Sequence, residues 1–193
     1  MDSQITTRRL ALQLALEIIP TILPVVQALA GDRSNVTDDG KKPMDELILA
    51  LDLIGTPNCK DAANILRGYG PDLISFNLHL RNAGLRAKDA QVLAEAMRNT
   101  SQAQKLRPFS VSFNPNLTDF GIATLIASPP TTAIELGLVG CSMGDVGGAA
   151  ILKWAQHAQA PSMIYIEQNN ISTNLRQKFT YLQNQRPGLT VII

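Results

Sequence analysis

Cysteine and histidine are scarce: Cys59 and Cys141, His79 and His157 are all that 193 residues contain. Two cysteines make no disulfide framework, and they favour a reducing, intracellular setting. His79 and His157 fall far apart in the chain, so no shared metal site and no Cys–His pair is expected. Charge of one sign is missing too, since 17 basic and 16 acidic residues leave a net charge of +1. That excludes a broad basic field for nucleic acid and an acidic one for cationic partners. No phosphate loop is present, because Lys60 in "GTPNCKDAANIL" follows Cys59 where such a loop requires glycine. "GCSMGDVGG" is rich in glycine but lacks the dinucleotide-binding spacing. With no nucleophile–base pair or paired carboxylates either, the sequence points to no enzyme, no cofactor and no metal. What it does contain is 45% hydrophobic against 17% charged residues, enough for a sizeable core.

The N-terminus carries the longest apolar run, "RRLALQLALEIIPTILPVVQALAGD", closing on Ala28, Leu29 and Ala30. Basic residues, an apolar stretch and small residues at its end resemble a secretory signal. Against this stand Asp2 before the arginines, Gln13 and Glu17 within the run, and Pro20 and Pro24. A carboxylate at the centre of a membrane span costs about 2.5–3.5 kcal/mol. The preferred reading is a helical cap over residues 1–70 of a cytoplasmic protein, with a polar linker at 31–43. The alternative is a secreted or membrane-linked factor using residues 10–30 as signal or anchor.

From residue 71 onward the chain repeats itself. In "AIELGLVGCSMGDVGGAAI", Leu136 and Leu138 alternate as strand residues do, followed by Cys141, Met143, Gly147 and Ile151. Upstream, Phe109, Val111, Asn114, Leu117 and Gly121 keep the order with one residue more; before them stand Leu78, Leu80, Ala83, Leu85 and Leu93. Downstream come Ile164, Ile166, Asn169 and Ile171, then "LTVII" with Leu189 and Val191. Successive units are 31, 27, 28 and 25 residues apart, counted from Leu78 to Phe109, Leu136, Ile164 and Leu189. Residues 48–56 read either as a degenerate first strand on Leu51 and Leu53 or as a helix, with the helix favoured. One helix is expected within residues 6–30 and one within 43–67. Between the strands, "AKDAQVLAEAM", "TDFGIATLIAS", "GDVGGAAILKWAQ" and "STNLRQKFTYLQ" show helical periodicity. Ser172 or Thr173 is a candidate N-cap, and Asp119 and Asp145 are placed to cap the first turns of their own helices.

A period near 28 with an L-x-L-x-x-N/C core lies in the leucine-rich-repeat range. Strand, turn and full helix in each unit predict a right-handed α/β solenoid spanning residues 71–193, with a parallel inner sheet and outer helices. The pattern resembles the ribonuclease-inhibitor-like repeats, whose units are of this length with Asn or Cys at the bend. The first unit departs from it, with Ala83 at the bend and Asp89 where glycine is usual. The resemblance implies a non-catalytic scaffold for protein or peptide partners.

At the bend, strand-end backbone groups must find partners inside the fold. An Asn amide offers both donor and acceptor, so Asn114, Cys141 and Asn169 are expected to form one buried structural column, with Cys141 a small, unreactive substitute. Alternation then turns the remaining strand residues to the inner face. These are Asn77, His79, Arg81 and Asn82; Pro108, Ser110, Ser112 and Phe113; Glu135, Gly137, Val139 and Gly140; Met163, Tyr165, Glu167 and Gln168. Phe113 beside Gly140 and Tyr165 beside Gly137 suggest anchors on a glycine shelf, with His79, Arg81 and Glu167 as the polar surround of a partner site.

Overall fold

The computed structural model describes residues 44–193 apart from Pro71, Pro130, Thr131 and Ala160. The helix expected within residues 6–30 and the linker at 31–43 lie outside the described residues. Helices α1 (Asp45–Ile54) and α2 (Pro57–Arg67) occupy the stretch where one helix is expected. The break is local chemistry. Gly55 takes φ 73° and returns its N–H to the Leu51 carbonyl, ending α1. Thr56 then starts α2, its side chain accepting from the Cys59 N–H ahead of Pro57 in the first turn. Residues 48–56 are therefore helix, not strand, with Leu51 buried and Leu53 exposed.

Strand and helix alternate from there: β1 (Phe76–His79), α3 (Ala87–Asn99), β2 (Leu106–Ser110), α4 (Thr118–Ile126), β3 (Glu135–Gly137), α5 (Asp145–His157), β4 (Met163–Tyr165), α6 (Thr173–Gln185) and β5 (Thr190–Ile192). The five strands form one parallel sheet in chain order. Each strand returns beside its predecessor through a helix, the right-handed connection such units adopt. Leu78, Phe109, Leu136 and Ile164 pair in one row, as the spacing predicts. The ladder runs one residue past each of the first four strands, with the N–H groups of Leu80, Val111, Leu138 and Ile166 bonding the next strand. The last row differs from the sequence reading. Ile164 pairs with Val191, not Leu189, so the final unit is 27 residues long. Leu189 instead closes the turn after α6, its N–H on the Arg186 carbonyl and its side chain in the core.

One apolar core runs from Met44 to Val191, with Phe109 and Phe179 its bulkiest fully buried side chains. Among the described residues no helix is long and apolar enough to cross a membrane.

The bend residues organise the end of each strand. Asn114 is fully buried; its Oδ1 accepts from the Leu85 N–H at 2.9 Å, and its Nδ2 donates to the carbonyls of Leu80 at 2.8 Å and Val111 at 2.7 Å. One repeat pair further on, Asn169 Oδ1 accepts from the N–H groups of Cys141 and Met143, and Nδ2 donates to the Leu138 and Ile166 carbonyls. Between them Cys141 has only its thiol, which donates to the Val111 carbonyl at 3.4 Å. Burial pushes that thiol up to about 11. Burial raises Cys59 as well. Neither thiol should therefore react with Ellman's reagent at pH 8 in the native protein, and both should react in denaturant. The folded chain favours the protonated Cys141 thiol. Its contribution is fully present below the unfolded thiol's pKa of about 8.5 and is lost as pH climbs from there towards 11.

Asp119 and Asp145 do not cap their own helices; each reaches the next repeat. Asp119 Oδ1 accepts from the N–H groups of Gly144 and Gly147 at the start of α5, and Asp145 Oδ1 from the Ser172 N–H before α6. Stacking brings the neighbouring helix start within reach, where two orphan N–H groups converge on one oxygen. Hydrogen bonds from Ser172 lower the Asp145 pKa. Ser172 caps α6, accepting from the Leu175 N–H. Asp119→Ala should lower stability by about 1–2 kcal/mol, read from the urea midpoint, while Asp119→Asn should recover part of it.

Candidate protein-binding face

The inner sheet face is ordered in rows by the strand register. His79, Ser110, Gly137, Tyr165 and Ile192 share one row. Two residues on, beyond the paired segments, come Arg81, Ser112, Val139 and Glu167. Next come Asn82, Phe113, Gly140 and Gln168, and all four have positive φ, at 49°, 62°, 62° and 57°. Each of the first four strands is thus followed by the same left-handed turn as the chain leaves the sheet. Asn and Gly adopt that conformation readily, whereas a bulky side chain there is strained at a cost of about 1–2 kcal/mol. Phe113 is the aromatic in this column.

Its ring is held on two sides. The Arg81 guanidinium carbon sits 3.8 Å from the ring centroid. A Cβ at Gly140 would lie 3.3 Å from Phe113 Cδ1, so the ring rests where that glycine leaves space. The pairing of Phe113 with Gly140 in the sequence is therefore a contact. The other half of the expected shelf is not open. Gly137 and Tyr165 are register partners, but the space above Gly137 is filled by Ser110, whose Oγ would lie 2.5 Å from a Cβ there. Ser112, expected on the open face, is buried and accepts the Val139 N–H. A missing side chain left a hollow, and two hydroxyls filled it.

Of the predicted site residues, His79 and Arg81 are exposed and the anchors Phe113 and Tyr165, with Glu167, half-buried. Phe113 and Tyr165 stand two strands and three rows apart, about 14 Å, so they are separate points on the face rather than a pair. Arg81 and Glu167 lie in one row across three strand spacings, also about 14 Å. Glu167 Oε2 is buried without a hydrogen-bond partner among the described residues. The contribution of α2 was not visible in the spacing. Its Asn58 Nδ2 donates to the Arg81 carbonyl at 2.9 Å and the Asn82 carbonyl at 3.3 Å, fixing the backbone under the guanidinium. An Asn in the first turn of an amphipathic helix carried no signal of this. The left-handed column could have been read, since Asn82 and Gly140 are natural occupants of such a position. Among the described residues no three His, Cys, Asp or Glu side chains gather to hold a metal.

Strands, register and bend column define a leucine-rich-repeat-like α/β solenoid. No protein-family model and no curated protein matches the chain. Among solved structures it is similar to leiomodin-1 actin-binding site 2 (ABS2), with a TM-score of 0.52 and 11% identity over 79% of each chain. At that identity the likeness is one of fold.

Proposed function

We propose that this chain is a non-catalytic interaction scaffold of the cytoplasm, with ribonuclease-inhibitor-like repeats, that binds a protein or peptide on its inner sheet face. Phe113 and Tyr165 serve as anchors, and His79, Arg81 and Glu167 form the polar surround. The observation that carries this is Phe113: a half-buried aromatic held in a strained backbone conformation, on an open face, under an arginine. Backbone strain and solvent-facing apolar area both cost stability, and a binding role supplies a reason for them. The unit lengths and the full helix in each repeat support the repeat type. The solved structure reported above is an actin-binding site, and from it we carry only the architecture. Arg81 and Glu167 at opposite ends of one row favour a partner of reverse polarity.

The test uses a partner recovered by pull-down from native cells. Phe113→Ala combined with Tyr165→Ala should weaken binding by more than about 2 kcal/mol, roughly thirtyfold in Kd, with little change in unfolding midpoint. The competing surface is the outer groove between α5 and α6, where Tyr181 is exposed beside Leu152 and Gln156. If Tyr181→Ala abolishes binding while the inner-face double variant binds as wild type, the proposal is wrong.

A further inference from the structure

Arg81 is prepared for a ligand in a way the rest of the face is not. Stacking on Phe113 occupies one flat side of its guanidinium, and Asn58 secures its backbone, yet none of its side-chain N–H groups has a partner among the described residues. What remains open is the in-plane edge, a planar fork of donors. The acceptor that matches such an edge is a carboxylate, taken through two parallel hydrogen bonds. Charge argues the same way. The inner-face strand positions present one permanent cation, Arg81, against two carboxylates, Glu135 and Glu167. A doubly charged phosphate calls for a cluster of cations, whereas a single negative charge is balanced by one arginine. At the far end of the row, Glu167 Oε2 has no hydrogen-bond donor among the described residues. A buried carboxylate oxygen with no donor is costly until something supplies one.

Taken together, and resting on the inner-face reading above, we infer that the occupant is an extended peptide segment lying across the strands. Its carboxylate pairs with Arg81, and a basic side chain about four residues away pairs with Glu167. The spacing follows from geometry: three strand separations of about 4.8 Å match about four residues of extended chain at 3.3 Å each. Phe113 lies between the two charges, one row on, and would take an apolar side chain of the same segment. The stack on Phe113 limits the rotamer freedom Arg81 must surrender on binding, so its hydrogen bonds carry more net affinity than those of a free surface arginine.

Two pools of synthetic random dodecapeptides, one with a free C-terminal carboxylate and one amidated, passed over the immobilised full chain, test this. Retained peptides should be enriched in an acid and a base about four residues apart. Enrichment in both pools assigns the carboxylate to a side chain, and enrichment confined to the free pool assigns it to the chain terminus; either supports the inference. Arg81→Gln, an exposed substitution that gives up the stack on Phe113 but should leave cooperative unfolding intact, should bind the selected peptides about tenfold more weakly. Glu167→Gln should lose the preference for the basic residue. Peptides that lack acidic groups, bind Arg81→Gln as well as wild type and still fail on the Phe113→Ala, Tyr165→Ala double variant would overturn this inference and leave the inner-face reading standing. Retention of no peptides, or of peptides indifferent to the double variant, would overturn both.

Discussion

Replacing Asn114 with alanine is expected to lower stability by about 2–5 kcal/mol, seen as a drop in the urea midpoint. The side chain is fully buried and serves four backbone groups from two repeats: the Leu85 N–H and the carbonyls of Leu80, Val111 and, more weakly, Ser112. Alanine leaves the Leu85 N–H and the Leu80 carbonyl without their amide partner in a dry interior and the Val111 carbonyl with only the weak Cys141 thiol, and each orphaned group costs about 1–3 kcal/mol, less what local relaxation recovers. Asn169→Ala should behave alike, because its amide answers Cys141, Met143, Leu138 and Ile166. Cys141→Ala should cost less, since the thiol makes only weak contacts with the Val111 and Val139 carbonyls. The ordering of the three variants separates a hydrogen-bonding column from mere packing. If Cys141→Ala proved as damaging as Asn114→Ala, the amides would not be what stabilises the bend.

Why the column was legible in the sequence and the site only partly so has a physical cause. Repeat features recur: a buried row of Leu, Phe or Ile and an Asn or Cys at fixed offset are written several times, so one ambiguous copy is corrected by its neighbours. Leu78, Phe109, Leu136 and Ile164 fall in register for that reason. At the ends there is no neighbour on one side to arbitrate. There the reading slipped, placing Leu189 where Val191 belongs and running α1 into α2 across Gly55. The inner-face residues are a different case. Alternation identifies which side chains leave the core, but not how they settle against one another. Whether Gly137 is an open shelf depends on where Ser110 points, and whether Arg81 is free depends on Phe113 and Asn58. Those are contacts across 23 to 32 residues of chain, set by strand stacking and invisible to local periodicity. Asp119 and Asp145 make the same point: residue type and helix position predicted a cap, while the helix they cap was chosen by the stacking.

Two phenylalanines four residues apart give the sharpest contrast. Phe109 is fully buried on an interior strand of the sheet, paired with Leu78 on one side and Leu136 on the other. Phe109→Ala removes a large apolar side chain from between two repeats and leaves a cavity that short strands cannot close; the expected loss is about 3–5 kcal/mol. In a solenoid each repeat is stabilised mainly by its neighbours, so a cavity at this position weakens both interfaces of the second repeat at once. Phe109→Leu keeps most of the volume and should cost well under half as much. Phe113 obeys the opposite rule. Its ring is half-buried, its backbone sits at φ 62°, and the partner it covers is a glycine with the same conformation. Phe113→Gly relieves a strain of about 1–2 kcal/mol and loses the stack with Arg81, so its stability should stay within about 1 kcal/mol of wild type or exceed it. Chemical denaturation of the two alanine variants and of Phe113→Gly decides the matter. A Phe113→Gly protein as unstable as Phe109→Ala would mean that Phe113 belongs to the core, and the anchor role assigned to it would fall with that result.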